Sequence, residues 1–307
     1  MTLPASDSLA AAGVTVFERG WLSANNTLIQ GDGPTALVDS GYCSHAAQTV
    51  ALVRQALDGR PLHLLLNTHL HSDHCGGNAA LQSAYPELHT RIPPGQSQAV
   101  AVWDLVALTY APTGQECPRF QHDGLLVPGT SVQLGSLTWE VHGAKGHDPH
   151  SIVLHQASFG ILISADALWQ NGFGVVFPEL EGVNAFNEVA ETLDLIEALG
   201  PKIVIPGHGS VFQDVGEALQ RARSRLAQFS ASPEKHHRHA IKVLIKFRLL
   251  DWQRIQKAAL LEWARKTPYL QRAIPAESEE LAWFDQLIKE LERAGALRIE
   301  QDWLVNT

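Results

Sequence analysis

The sequence predicts an α/β fold with a small, mainly helical unit appended at its C-terminal end. Strand-like segments come in two batches, each accompanied by helices. The run Leu62–Leu66 is nearly continuous in apolar residues, as in a strand buried on both faces of a sheet. Beyond Val211 the pattern changes to helices alone, closing on a short hairpin. The 307 residues, 45% hydrophobic and 18% charged, have the profile of an ordinary globular protein, which excludes disorder and fibrous repeats. That length suits a main domain over 1–230 and an appendage over 231–307.

Each element has its own signal. Val14–Phe17, Asn26–Gln30 and Thr35–Val38 read as a β-meander, the last two joined by a Gly31-Asp32-Gly33-Pro34 turn. Ser44 caps a helix to Leu57, which Gly59 and Pro61 end before the Leu62–Leu66 strand. A helix over Asn78–Tyr85, a strand at Leu88–Ile92 and a helix from about Gly95 to Thr109 follow. The Gly/Pro-rich stretch Ala111–Gly129 is long for a connection inside a compact domain and reads as a lid or substrate-binding edge. Strands recur at Ser131–Leu134, Leu137–His142, Ser151–His155 and Gly160–Ser164, then a helix at Ala185–Leu199 and a strand at Ile203–Ile205. The helical end comprises Asp214–Ala231, Pro233–Leu250, Trp252–Lys266 and Ser278–Ala294, with β-like pieces at Ala296–Glu300 and Trp303–Val305. Helices closing on a hairpin suggest a winged-helix-like unit.

Composition narrows the function. With 32 Asp+Glu against 23 Lys+Arg, the net charge of −9 disfavours nucleic acid or anionic lipid as a partner of the whole surface. Cys43, Cys75 and Cys117 lack close spacing, which argues against a disulfide framework and for free thiols. The first twenty or so residues lack a basic n-region and an apolar h-region, and no window approaches the roughly 18 apolar residues of a membrane span, so a cytoplasmic protein is expected. Neither a P-loop, a G-x-G-x-x-G fingerprint nor a G-x-S-x-G elbow is present, so nucleotide-dependent chemistry and a serine nucleophile have no support.

The unusual number is 15 His. Directly after the buried strand stands Asn67-Thr68-His69-Leu70-His71-Ser72-Asp73-His74-Cys75-Gly76-Gly77-Asn78, which holds three imidazoles and a carboxylate within six residues. That donor set suits Zn, Fe or Mn. Alternate residues of an extended stretch point the same way, so His69 and His71 aim together, while Asp73 and His74 open a helix and turn toward a second position. His147 in Gly146-His147-Asp148-Pro149-His150, Asp166 in Ser164-Ala165-Asp166-Ala167 and His208 in Pro206-Gly207-His208-Gly209 each stand at a strand end, where α/β sites are built. The other histidines are not candidate ligands: His63 and His155 alternate with apolar strand residues, His45, His89 and His122 have no partner in sequence, and His236, His237 and His239 lie on a charged helix start.

The segments LVDSG, THLHSDH, GHDPH, SADA and PGHG, in that order, resemble the metallo-β-lactamase superfamily of binuclear metallohydrolases over roughly residues 14–230. The resemblance implies an αββα sandwich with metals at one edge of its two sheets. It implies that His69, His71 and His147 hold one ion, that Asp73, His74 and His208 hold a second, and that Asp166 bridges them. Asp39 matches the family's structural Asp near the site, and Asp73 and Asp166 are the candidate catalytic carboxylates. The implied cofactor is two divalent transition-metal ions, zinc foremost, with iron or manganese acceptable to the same donors. Such a set leaves room for a shared water that ionises near neutral pH and serves as nucleophile. His150 stands where the family commonly has Gly, and is a candidate to reach the pocket or move a proton. Cys75 is read as packing.

The bridging Asp166 and His208 argue against true β-lactamases and fit the ligand set of glyoxalase II-like thioesterases, lactonases, phosphodiesterases and RNase Z-like nucleases. The helical tail is similar to the glyoxalase II-like, winged-helix-bearing branch. Hydrolysis of a small ester, thioester or lactone is expected from the −9 charge and from the apolar pocket candidates Trp103, Tyr110, Phe120, Trp169, Phe173 and Phe177. Besides a non-catalytic binding protein built on the same scaffold, two alternatives stay open. A single-strand endoribonuclease would use the basic track Lys235, Arg238, Lys242, Lys246 and Arg248, and a persulfide dioxygenase-like enzyme would hold one iron.

Overall fold

The computed structural model describes residues 4–275 and 277–307. Strands β1 (Val14–Phe17), β2 (Asn26–Ile29), β3 (Ala36–Val38), β4 (Leu64–Leu66), β5 (His89–Ile92) and β6 (Gly124–Leu125) lie side by side in that order. The first three form an antiparallel meander, and β3 to β6 run parallel. The second sheet contains β7 (Ser131–Leu134), β8 (Leu137–Gly143), β9 (Ile152–Gln156), β10 (Ile161–Ala165) and β11 (Ile203–Pro206), in the order β11-β10-β9-β8-β7. Only β10 and β11 pair in parallel there.

Helices α1 (Ala5–Ala11), α2 (Ala46–Leu57), α3 (Ser72–Cys75), α4 (Asn78–Ala84), α5 (Ser97–Val102), α6 (Tyr110–Thr113), α7 (Phe177–Leu180), α8 (Phe186–Leu199) and α9 (Val215–Ala231) connect the strands. Strand periodicity explains the layers. Ile29, Val38 and Leu66 face inward and meet Trp139, Leu154, Ile163 and Ile205 of the second sheet in one buried cluster. Their neighbours Leu28, Leu37 and Leu65 face outward and are covered by Val53 and Leu57 of α2 and Leu81 of α4. Val153, Leu162 and Val204 are covered in the same way by α8 and α9. Both faces of each central strand are therefore dry, which is why Leu62–Leu66 lacks polar alternation. The architecture is an αββα sandwich.

Beyond it lie α10 (Pro233–Trp252), β12 (Arg254–Gln256), α11 (Lys257–Lys266), α12 (Pro268–Gln271), α13 (Glu277–Arg293), β13 (Leu297–Glu300) and β14 (Trp303–Asn306), with β14 central in a three-stranded sheet. These elements share an apolar cluster around Ile245, Leu249, Leu260, Phe284, Leu287 and Leu304, against which Phe177 and Leu180 of α7 pack. The helix expected from Trp252 begins later: Gln253 adopts φ 60°, and Arg254–Gln256 pair with β14. The helix expected over Gly95–Thr109 stops at Val102, because Trp103 turns left-handed at φ 60°. The Ala111–Gly129 stretch carries α6 and the edge strand β6.

Three of the five cations in the basic track of α10 are hydrogen-bonded within the fold. Arg238 donates to both oxygens of Glu290 at 3.0 and 2.8 Å. Lys246 Nζ donates to the Ala296 and Thr307 carbonyls and to Asn306 Oδ1, while Arg248 donates to Gly114 O and lies over the Trp252 and Trp263 rings. Among the described residues no helix is long and apolar enough to cross a membrane.

Candidate metal centre

Four chain segments converge on one edge of the sandwich. The end of β4 delivers His69 to His74, the β8–β9 connection His147, the end of β10 Asp166 and the end of β11 His208. His69 Nε2, His71 Nδ1 and His147 Nε2 form a triangle with sides of 3.1, 2.8 and 3.2 Å. His147 Nδ1 donates to the Val175 carbonyl at 2.6 Å, so its Nε2 presents a lone pair to the other two rings. Burial, reinforced by the neighbouring imidazoles, holds His69 well below its ordinary pKa and His71 at about 4. Three ring nitrogens converging at these distances suit a cation at their centre.

Beside this triangle, Asp73, His74, Asp166 and His208 form a second cluster. His74 Nδ1 donates to Asp39 Oδ2 at 2.7 Å, and its Nε2, buried without a hydrogen-bond partner, lies 3.4 Å from Asp166 Oδ1. His208 Nε2 lies 3.0 Å from Asp73 Oδ2. Asp166 reaches both ways: Oδ1 faces His74, and Oδ2 lies 3.4 Å from His147 Nε2 of the triangle. Burial lowers the His74 pKa, but the carboxylates of Asp166, Asp39 and Asp73 outweigh it and raise it well above the usual value. Burial likewise raises Asp166 and Asp73, and His74 and His208 outweigh it, leaving both lowered. The cluster stabilises positive charge, as a metal-binding site must. Imidazole and carboxylate donors in both clusters fit divalent Zn, Fe or Mn.

The supporting residues explain the local sequence. Asp39, buried at φ 58°, accepts from Thr68 N–H at 2.9 Å and Thr68 Oγ1 at 2.8 Å in addition to His74, so one carboxylate fixes both the start of the histidine segment and a ring tautomer. A Cβ at Gly207 would fall 2.2 Å from Asp166 Oδ1, and one at Gly174 would fall 2.4 Å from His147 Nδ1. Cys75 is buried beside the Tyr110 hydroxyl, in packing.

A cavity of about 610 Å³ opens over the clusters, and Trp169 and Phe177 line it. Trp169 Nε1 donates to Asp166 Oδ1 at 3.2 Å, and the Phe177 ring lies 4.7 Å from that of His71. Four pocket candidates are corrected by their surroundings. Trp103, Tyr110 and Phe120 pack on one another in a separate apolar cluster, and Phe173 is buried under α9. His150 turns away from the cavity onto Gly95. Sequence reasoning missed Trp21, which stacks on His208 at 5.4 Å, and Arg225, Val243, Phe247 and Leu250, while Lys242 of the basic track does line the cavity. The spacing of Val243, Phe247 and Leu250 on one helical face was a usable signal.

Buried imidazole and carboxylate donors at one edge of an αββα sandwich define a candidate metal centre. Residues 19–208 match the model of the metallo-beta-lactamase superfamily, and the chain belongs to that superfamily. It is 28% identical over 226 residues to a hydroxyacylglutathione hydrolase of Anaeromyxobacter dehalogenans, covering 71% of this chain and 76% of that one. It is 32% identical over 148 residues to a hydroxyacylglutathione hydrolase of Rhodobacter capsulatus, 48% of each chain. Among solved structures, a metallo-beta-lactamase family protein from Thermus thermophilus superposes with a TM-score of 0.58 at 18% identity, over 96% of this chain and 99% of that one. A beta-lactamase domain protein from Burkholderia ambifaria does so with a TM-score of 0.58 at 22% identity, over 100% and 96%.

Proposed function

We propose that this chain hydrolyses a small ester, thioester or lactone at a centre of two divalent ions, zinc foremost. The carrying observation is Asp166, whose two oxygens lie 3.4 Å from donors of separate clusters. His69, His71 and His147 would hold one ion and Asp73, His74 and His208 the other, with Asp166 shared. When bound, the ions supply an activated water and polarise the substrate carbonyl. The chain's own residues do the rest. Asp39 holds His74 in one tautomer, Trp169 orients Asp166, and Trp21, Val243, Phe247 and Leu250 offer apolar walls that exclude water from the reacting group. Arg225 lines the same cavity with no carboxylate partner among the described residues, which suits a substrate with an anionic or polar end.

The similarity to two hydroxyacylglutathione hydrolases favours a thioester. A nuclease is disfavoured because Arg238 and Lys246 are engaged within the C-terminal elements and Arg248 is engaged with the Gly114 carbonyl. A one-iron dioxygenase leaves the second complete donor cluster without a role. Residues 231–307 are taken as a unit with its own core that shapes the cavity and supplies no ligand. Elemental analysis together with a screen of esters, thioesters, lactones and phosphodiesters tests the reading. Close to two ions per chain and a carbonyl substrate are expected. A fully loaded chain that holds one iron and consumes oxygen with a persulfide overturns it.

A further inference from the structure

We propose that His236 of the C-terminal helix α10 is a positioning residue that orients His147 through one peptide group, that joining Val175 to Val176. This rests on the reading of His147 as a metal donor. The Val175 carbonyl accepts from His147 Nδ1 at 2.6 Å, and the Val176 N–H donates to His236 Nε2 at 3.0 Å. Carbonyl and N–H belong to the same amide, and the described chain contains no cis peptide bond, so the two hydrogen bonds point in opposite directions across it. The result is a continuous line from α10 to the triangle of imidazoles: His236, amide, His147. Hydrogen bonds in series polarise one another, and an acceptor on the N–H side makes the carbonyl a better acceptor for the His147 proton.

His236 carries its proton on Nδ1 when Nε2 accepts, and that Nδ1 is buried without a hydrogen-bond partner among the described residues. The residue is fully buried, with ring contacts to Phe186 of α8 at 5.4 Å and Phe229 of α9 at 5.0 Å. Its acceptor role requires the neutral ring, and burial, with His239 and His237 adding to it, holds its pKa at about 4. The segment it grips runs against the site. A Cβ at Gly174 would strike the His147 ring, and Phe177 N–H donates to the His147 carbonyl at 3.2 Å. His147 is thus held from its ring and its main chain by residues 175–177, and His236 holds that segment from behind.

An ordinary alternative is that His236 only satisfies a buried amide. The two are separated by comparing His236→Leu, which removes the acceptor, with His236→Gln, which supplies another. In the metal-free chain, the leucine variant should speed exchange of the Val176 amide proton and shift the His147 Nδ1 proton resonance upfield. Its zinc affinity, read by competition with a chromophoric chelator, should fall about tenfold, the low end for residues that orient ligands, and the glutamine variant should recover most of both. Faster Val176 exchange with an unmoved His147 resonance and unchanged zinc affinity overturns the proposal. Scalar coupling across the Val176–His236 and His147–Val175 hydrogen bonds of the unsubstituted chain tests the line without any variant, and its absence also overturns it. Failure of the unsubstituted chain to bind zinc overturns the metal reading instead, and the couplings still decide the relay.

Discussion

Asp39 and Ala165 hold backbone conformations that L-residues rarely adopt, φ 58° and 46°, and both stand next to the donors. Such strain costs about 1–3 kcal/mol per residue and persists only where the surroundings enforce it. At Asp39 the return is a carboxylate that accepts from Thr68 twice and from His74. Asp39→Ala should therefore keep the fold and weaken metal binding by roughly 10- to 100-fold, measured by chelator competition. Asp166→Ala should reduce turnover by orders of magnitude under metal-replete conditions, since Asp166 is the carboxylate that reaches both donor clusters of the proposed centre. Near-wild-type turnover in that variant would show that Asp166 does not connect the clusters. Gly207→Ala should mimic part of this loss, because its Cβ would meet Asp166 Oδ1 at 2.2 Å. The donors were legible because each sits in a short segment at a strand end. Trp21 and Arg225 were not, because they reach the cavity from distant segments whose local pattern is that of any loop or helix.

At the level of elements, strands and long helices could be read closely and their breaks could not. The β-meander, the buried Leu64–Leu66 strand and α8 follow from apolar period and turn residues. Trp103 and Gln253 end helices by turning left-handed, a choice dictated by the packing that follows and invisible in helix propensity. The same limit hid His236, whose neighbours in sequence are charged while its ring faces Phe186 and Phe229. Burial first, then nearby cations, holds His236 and His239 at about 4 against an ordinary 6.5. The folded chain therefore binds fewer protons at these rings than the unfolded chain does. Their neutral forms favour the fold fully above pH 6.5, and that contribution is lost as pH falls from 6.5 toward 4. His69 and His71 of the metal-free chain act in the same direction, and His74, held above its ordinary value by three carboxylates, acts against them. The thermal midpoint of the metal-free chain should fall between pH 7 and 5, and His236→Gln should flatten the slope. An equal slope in that variant would remove His236 from the account.

The whole molecule carries a net charge of −9, and that bears on which substrate reaches the cavity. An acidic surface repels polyanions at long range, and three cations of the α10 track are spent within the fold: Arg238 on Glu290, Lys246 on three oxygens near the C-terminus, and Arg248 on Gly114. Lys242, which does line the cavity, lies 3.6 Å from Glu290. If single-stranded RNA were the substrate and about four phosphates had to be neutralised, a fourfold rise in salt would weaken binding roughly fiftyfold. A small ester or thioester would draw on short-range contacts with apolar walls and buried ions, which salt screens little. Turnover efficiency of the best ester or thioester is therefore expected to change less than about threefold between about 50 and 200 mM salt. Cleavage of single-stranded RNA faster than any ester, abolished by Lys242→Ala with Lys246→Ala at unchanged metal content, would reverse this assignment. That double substitution is informative because Lys246 anchors the C-terminal strand. A loss of stability with ester turnover retained would assign the pair to the scaffold, whereas loss of RNA cleavage alone would assign it to the substrate.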